Sequence, residues 1–227
     1  MIKQIKLGMK LIKYSYGAVM SVFGTVISLA IGILLYVFPY PSQSASSFSM
    51  MGCFMIVAAG LWPFQMICTL SVPHIVQTSA RKKELQTAVP ALASFFLNLF
   101  DYLIVVVLQL LPVTANSSDA QMKNNLLITG IFIFLISLYS GGAYKYFFTS
   151  TVLLMLVCMA GGAWIGMSGV LGNSLLPFLF GLSYPAAFLI GLGCIAAGAV
   201  IQYGLTLLFY KKPLSKAAQF QAIQKIL

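Results

Sequence analysis

Six long runs of apolar residues, separated by short polar connections, dominate the pattern along this chain. Each run is long enough to cross a membrane as an α-helix, since a hydrocarbon core of about 30 Å needs roughly 20 apolar residues. The runs show no alternation of apolar and polar positions, which argues against a barrel of strands. We predict an all-α integral membrane protein with six transmembrane helices, at residues 16–38, 48–70, 91–111, 125–143, 147–170 and 185–210.

Composition agrees with a membrane environment. Hydrophobic residues make up 60% of the 227 positions and charged residues only 7%, a balance that soluble domains of this size do not show. We expect a single transmembrane domain over residues 1–227, ending in a tail at 211–227. A cleaved signal peptide is the competing interpretation of the first run, because Ser44, Ala45 and Ser46 follow it. That run is longer than the core of a signal peptide, which has about 7 to 15 residues.

Positive charge predicts the orientation of the helices. With the amino terminus in the cytoplasm, six spans place every lysine and arginine except Lys123 on the cytoplasmic side, which is the side that such residues prefer. We therefore expect a multi-pass protein of a cell membrane, that of a bacterium, with both termini cytoplasmic. The net charge of +10 favours anionic lipid, and no other feature of the chain indicates binding to nucleic acid.

Two cytoplasmic segments carry the basic residues at helical spacing. Residues 1–15 interleave apolar positions with Lys3, Lys6, Lys10 and Lys13, which predicts an amphipathic elbow helix on the membrane surface or an ordinary charged flank. The loop between the second and third spans, bounded by Pro73 and Pro90, predicts a short helix that ends near Leu85. It either docks a cytoplasmic partner or acts only as a charged stop signal. Its charged or capping residues are Ser79, Arg81, Lys82, Lys83 and Glu84.

Polar and small residues mark faces within the spans. Asn98, Asp101 and Gln109 share one helical face with Val105, so this stripe should face protein or water rather than lipid. It lies on a translocation path, at a subunit interface, or inside the bundle as a paired structural group. In the last span, small residues predict a close helix contact, namely Gly191, Gly193, Ala197 and Gly198.

The connection before the last span is apolar although it joins two membrane helices. It predicts a re-entrant segment that dips into the outer leaflet, or a loop that serves only packing. The residues that define this segment are Leu175, Pro177, Phe178 and Phe180.

Enzymatic chemistry finds little support in the sequence. Three acidic residues and one histidine are scattered over the chain and form no catalytic or metal-binding constellation. The four cysteines lie within apolar runs, without paired spacing, and are expected to serve packing. A glycine-rich phosphate loop is absent, so we expect no nucleotide or other cofactor on this chain.

Taken together, the elbow segment, the 79–85 segment and the 169–183 connection resemble those of the permease subunits of type V ABC exporters. The resemblance is architectural, spans nearly the whole chain, and implies a coupling helix between spans two and three. It further implies a second permease chain and a separate ATPase subunit that binds ATP and magnesium. The short outer loops look like those of small permeases that export amphipathic peptides, such as phenol-soluble modulins and lantibiotics.

A secondary transporter or channel is the alternative, with Asp101 as a proton-linked carboxylate and no ATPase. Such proteins often contain broken helices at matching places in two halves of the chain. The sequence suggests a break only in the connection after the fifth run, which favours the exporter.

Overall fold

A computed structural model describes residues 17–37, 45–61, 82–111, 119–143, 145–171 and 182–211. All regular structure in these ranges is α-helical, which confirms the predicted class for this part of the chain. The helices are α1 (Gly17–Val37), α2 (Ala45–Ala58), α3 (Lys82–Gln86), α4 (Ala88–Leu110), α5 (Asp119–Ala143), α6 (Phe147–Leu171) and α7 (Tyr184–Phe209).

Three of the described helices are long and apolar enough to cross a membrane: Ala88–Leu110, Met122–Ala143 and Tyr184–Phe209. Their surroundings reverse the pattern of a soluble protein. Large apolar side chains such as Phe148 face outward, at 78% exposure, whereas Gln202 is 0% exposed. An apolar exterior around an interior that contains polar side chains is what a hydrocarbon solvent selects. The described helices thus have the character of a membrane protein.

Helix bounds follow the apolar runs closely. The ends of α1, α6 and α7 lie within one residue of the predicted spans. The α5 helix begins at Asp119 rather than at residue 125, because a helix can continue with polar residues beyond the hydrocarbon. The α4 helix begins at Ala88, so the expectation that Pro90 bounds the preceding loop was wrong. Pro90 is tolerated there because the first turn of a helix leaves its N–H groups without intrahelical partners.

The second predicted span is interrupted. Its helix α2 ends at Ala58, residues 59 and 60 form a turn, and helical geometry resumes at Leu61. The Gly60 N–H donates to the Val57 carbonyl at 3.0 Å, a tighter closure than the α-helical pattern. Pro63 supplies the sequence cause, because it has no N–H to donate to the carbonyl of Ala59. Residues 62–70 lie outside the described part of the chain, so the span over 48–70 stays a prediction.

Side-chain contacts define the directions of the helices. Ser94 pairs with Gln202, and Gln109 pairs with Tyr184, so α4 and α7 are antiparallel. Asn98 pairs with Ser137 and Gln109 with Met122, so α4 and α5 are antiparallel too. It follows that α5 and α7 run parallel to each other.

These helix directions place the described lysines at two different ends of the bundle. The start of α4 and the ends of α5 and α7 lie at one end of the bundle, together with Lys83, Lys145 and Lys211. We call this the basic end. Lys123, in the second turn of α5, lies toward the opposite end, which we call the far end.

Glycines allow α5 and α7 to pack in backbone contact. A Cβ added to Gly130 would lie 2.8 Å from the Cα of Gly191, and one added to Gly198 would lie 2.9 Å from the Cβ of Ser137. The predicted close contact of the last span is thus formed by Gly191 and Gly198. Gly193 and Ala197 are exposed and take no part in that contact, so a role for them in packing against a second chain stays a prediction.

Several predicted segments lie outside the described residues, and α6 continues to Leu171, two residues past the predicted start of the re-entrant connection. Those segments comprise the elbow lysines Lys3, Lys6, Lys10 and Lys13, the loop residues Ser79 and Arg81, the re-entrant residues Leu175, Pro177, Phe178 and Phe180, and the tail beyond Lys211.

Candidate functional site

A band of buried polar side chains runs through the centre of the bundle, where α4, α5 and α7 meet. We call it the polar seam. Each helix contributes one face to this seam, because its polar residues recur mostly at intervals of three or four and therefore lie on the same side of the helix. Its members are Ser94, Asn98, Asp101 and Gln109 from α4, Asn125, Thr129, Ser137 and Ser140 from α5, and Gln202 and Thr206 from α7.

The stripe predicted on the third span belongs to this seam. Asn98 is 3% exposed, Asp101 is 4% exposed and Gln109 is 3% exposed, so all three face the interior of the bundle. They do not form one cluster. Asn98 and Asp101 lie one turn apart, whereas Gln109 lies roughly 12 Å further along the helix axis and joins a separate network at the far end.

The side-chain amide of Asn98 has a defined orientation. The Ser137 hydroxyl donates to the Ile133 carbonyl at 2.9 Å, so it can only accept from Asn98, whose Nδ2 lies 3.2 Å away. This arrangement turns the amide oxygen of Asn98 toward α2. Asn98 therefore presents a hydrogen-bond acceptor, and not a donor, to the space beside Asp101.

Asp101, Asn98 and the break in α2 meet at Gly60. A Cβ added to Gly60 would lie 3.0 Å from the Asn98 Oδ1, 3.2 Å from the Asp101 Oδ2 and 3.2 Å from the Val57 carbonyl oxygen. A side chain at position 60 would have to push these oxygen atoms away by a few tenths of an ångström. Three oxygen atoms of different kinds thus converge at the interrupted helix.

The Asp101 carboxylate receives no hydrogen bond or ion pair from the residues that the structure describes. An ionised carboxylate at the centre of a bilayer costs roughly 2.5 to 3.5 kcal/mol by insertion scales. Buried polar groups without partners are uncommon in folded proteins and call for an explanation. Asp101 is therefore the strongest candidate for a functional residue in this part of the chain.

A second network ties four helices together at the far end. The Tyr184 hydroxyl donates to the Gln109 Oε1 at 3.1 Å, and the Gln109 Nε2 donates to the Met122 carbonyl at 3.2 Å. Asn125 donates to the Tyr36 hydroxyl across a longer distance of 3.5 Å. These bonds connect α1, α4, α5 and α7, so the polar side chains at this end of the seam stabilise the packing of the four helices.

Toward the basic end, the seam is only partly satisfied. The Gln202 Nε2 donates to the Ser94 hydroxyl at 3.1 Å, one turn of α4 before Asn98. The Gln202 Oε1 and the Ser140 hydroxyl, both buried, have no partner among the described residues. The polar seam thus contains an unpaired amide oxygen and an unpaired hydroxyl between Asp101 and the basic end.

The described part of the predicted coupling segment is a short helix at the surface. It is α3, which begins at Lys82 and exposes Lys83 and Glu84. The Thr87 hydroxyl donates to the Lys83 carbonyl at 2.7 Å. Main-chain bonds from the Thr87 N–H to the Lys83 carbonyl and from the Ala91 N–H to the Thr87 carbonyl link α3 to α4, although Thr87 itself departs from helical geometry, with φ −120° and ψ −66°.

The chemistry available to the seam is that of oxygen and amide groups. Within the described ranges, no group of three histidine, cysteine or acidic side chains could hold a metal ion. Cys53, Cys158 and Cys194 are free thiols. The seam can therefore hydrogen-bond a polar guest or balance a single positive charge.

Comparison of the chain with protein-family models, with curated proteins and with solved structures gave no match.

Some members of the site have weak sequence signals. Tyr36, Asn125, Ser137 and Gln202 are isolated polar residues in apolar runs, and one sequence does not reveal which helix faces they meet. Gly60 did have a signal, because a glycine followed three residues later by Pro63 is a common place for a helix to break.

Proposed function

We propose that this chain is the membrane-spanning subunit of an ATP-driven exporter of the type V ABC class, powered by a separate ATPase subunit. The observation that carries the proposal is the connection between α3 and α4. The exposed charged helix at the basic end is joined, through the single residue Thr87 and two main-chain hydrogen bonds that it makes, to the helix that bears Asn98 and Asp101.

This connection suits the transmission of force. A partner that pulls on α3 would move α4, because a single residue separates the two helices and main-chain hydrogen bonds link it to both. The buried stripe of α4 would then shift against α5 and α7. Packed interiors respond to such movements by switching between discrete arrangements. Hydrolysis of ATP, with magnesium, takes place on the partner in this proposal.

Charge supports the same orientation. The described basic residues Lys83, Lys145 and Lys211 share the basic end, whereas Lys123 lies toward the far end. Cytoplasmic ends of membrane helices carry the excess of lysine and arginine. In our proposal the basic end is therefore cytoplasmic, the chain passes the membrane six times, and both termini lie inside.

The proposed cargo is an amphipathic peptide or another substrate that partitions into lipid. A polar seam enclosed by apolar helix exteriors offers such a molecule one surface for each of its faces. The path would form between this chain and a second permease chain, identical or related. Lipid covers the remaining exterior.

Reversal of charge on α3 tests the proposal. The triple substitution of Arg81, Lys82 and Lys83 by glutamate should abolish co-purification of an ATPase from native membranes while the protein remains in the membrane fraction. Lys123→Glu is the matched control, since it alters a basic residue toward the far end. Equal recovery of the ATPase with the triple variant and with wild type would refute the docking role.

The break in α2 gives a specific reason to keep a second candidate function. A secondary transporter or channel would use Asp101 as a proton-linked carboxylate, and interrupted helices are typical of such proteins. Transport of a peptide or ion into purified vesicles, driven by a proton gradient without ATP, would select this candidate. Transport that requires ATP and a co-purified ATPase would select the exporter.

A further inference from the structure

The break in α2 and the unpaired carboxylate of Asp101 lie at the same level of the bundle, and their coincidence has a chemical meaning. A membrane helix is interrupted only where the surrounding protein shelters its main chain or where that main chain binds something. Here the interruption at Gly60 lies against two side-chain oxygens, at 3.0 Å and 3.2 Å from the position of a Cβ.

The polarity of these groups excludes an anion. Asn98 contributes its oxygen because its Nδ2 is engaged by Ser137. Asp101 contributes a carboxylate that no described residue neutralises. Discontinuous membrane helices supply main-chain carbonyl oxygens to bound cations, and the N–H of Gly60 is already engaged by the Val57 carbonyl. All the available atoms are therefore acceptors.

The presence of a single carboxylate limits the class of ligand that these groups can bind. One carboxylate balances a single positive charge, whereas divalent cations are held by several carboxylates or by soft ligands. No group of three metal-binding side chains exists within the described ranges, which fits a weakly charged guest.

We propose that Asp101, Asn98 and the interrupted main chain at Gly60 form a binding site for a small monovalent cation, either an alkali ion or the ammonium group of a protonated primary amine. The site lies inside the bundle, beside the end of α2. It does not depend on the energy source of transport, so it can be tested without an ATPase.

Thermal unfolding of the purified full-length protein in detergent tests the site. The melting temperature is measured at constant ionic strength in sodium, potassium, ethylammonium and choline chloride. A bound cation should raise it by roughly 5 °C at saturation relative to choline, which is too large for the site. A response to sodium or potassium alone identifies an alkali ion, and a response to ethylammonium alone identifies an amine. Equal melting in all four salts, or a larger response to magnesium, overturns the proposal.

Matched variants assign the response to this site. Asp101→Asn should abolish the dependence of the melting temperature on the cation. Asp119→Asn should retain it, because Asp119 lies at the start of α5, roughly 27 Å along the helix axis from Ser137, the partner of Asn98. Gly60→Ala should weaken the response, because its methyl group would crowd both oxygens. A full response in Asp101→Asn contradicts the assignment.

A gain of function keeps the test decisive if Asp101→Asn does not fold. Asn98→Asp places a second carboxylate beside Asp101, so this variant should become stabilised by calcium while its preference for monovalent ions falls. Unchanged ion preference in both Asn98→Asp and Gly60→Ala would show that these residues do not form a cation site. Loss of ATPase co-purification in the α3 variant, with the cation response intact, would separate this inference from the proposed function.

Discussion

The hydroxyl of Tyr102 lies directly against Gly191 and donates a hydrogen bond of 3.1 Å to the main-chain oxygen of Phe188. The ring of Tyr102 is fully buried, and it fits there only because α7 has no side chain at position 191. The same glycine meets Gly130 of α5 on another side. The missing Cβ of Gly191 thus admits Tyr102 of α4, and the missing Cβ of Gly130 lets α5 approach the same point of α7.

Gly191→Ala should therefore destabilise the bundle. The added Cβ would lie 2.6 Å from the Cζ of Tyr102, and overpacking of this kind costs about 1 to 3 kcal/mol. Gly193→Ala is the matched control, because its added Cβ would meet nothing within 4 Å and alanine is the better helix former. Thermal unfolding in detergent should show a lower midpoint for the first variant only. Equal midpoints would mean that α7 can move away without loss.

The far-end network yields a second prediction. Tyr184→Phe removes the hydroxyl that donates to Gln109 and should lower stability by about 0.5 to 1.5 kcal/mol. Tyr203→Phe removes a hydroxyl from the same helix at an exposed position and should change stability little. The comparison uses chemical denaturation of both variants. A loss of the same size in both would show that the bond to Gln109 adds nothing.

The stripe on α4 shows what one sequence can predict. Asn98, Asp101, Val105 and Gln109 recur at helical intervals, and the cost of polar groups in lipid requires that face to point inward; all four are buried. Periodicity within one helix carries this information. It does not carry the register between helices, so the pairing of Asn98 with Ser137 and of Ser94 with Gln202 was not predictable.

The break at Gly60 shows the opposite limit. Hydropathy averages over many residues, so a run that is apolar throughout predicts a continuous helix even where the main chain is interrupted. The effect of Pro63 is local, since it removes one donor and crowds the preceding turn. In a continuous helix the residue at position 63 would donate to the carbonyl of Ala59, so the missing N–H of Pro63 would have predicted an interruption near Ala59.

Orientation in the membrane gives a third prediction. In a variant whose native cysteines are replaced by alanine, a cysteine at position 123 should react with a membrane-impermeant maleimide in intact cells. A cysteine at position 211 should react only after the membrane is made permeable. The reason is that Lys123 and Lys211 lie toward opposite ends of the bundle, and the basic end is expected to face the cytoplasm. Labelling of both positions from outside would reject the predicted orientation.

The connection between α3 and α4 gives the last prediction. Thr87→Gly should leave docking of the ATPase intact but reduce export by roughly fivefold, since losing the Thr87 hydroxyl bond at this junction costs about 1 kcal/mol. The variant removes both the hydroxyl bond to the Lys83 carbonyl and the stiffness of the main chain between the two helices. Thr87→Ser retains the hydroxyl and should behave nearly as wild type.

The two readouts separate docking from transmission. Co-purification of the ATPase reports whether the surface of α3 is recognised, and export in reconstituted vesicles reports whether its movement reaches Asn98 and Asp101. Loss of both in Thr87→Gly would mean that the variant has lost the shape of α3 itself. Full export in Thr87→Gly would show that force reaches the polar seam by another route, because a flexible residue at position 87 could not then be part of the path.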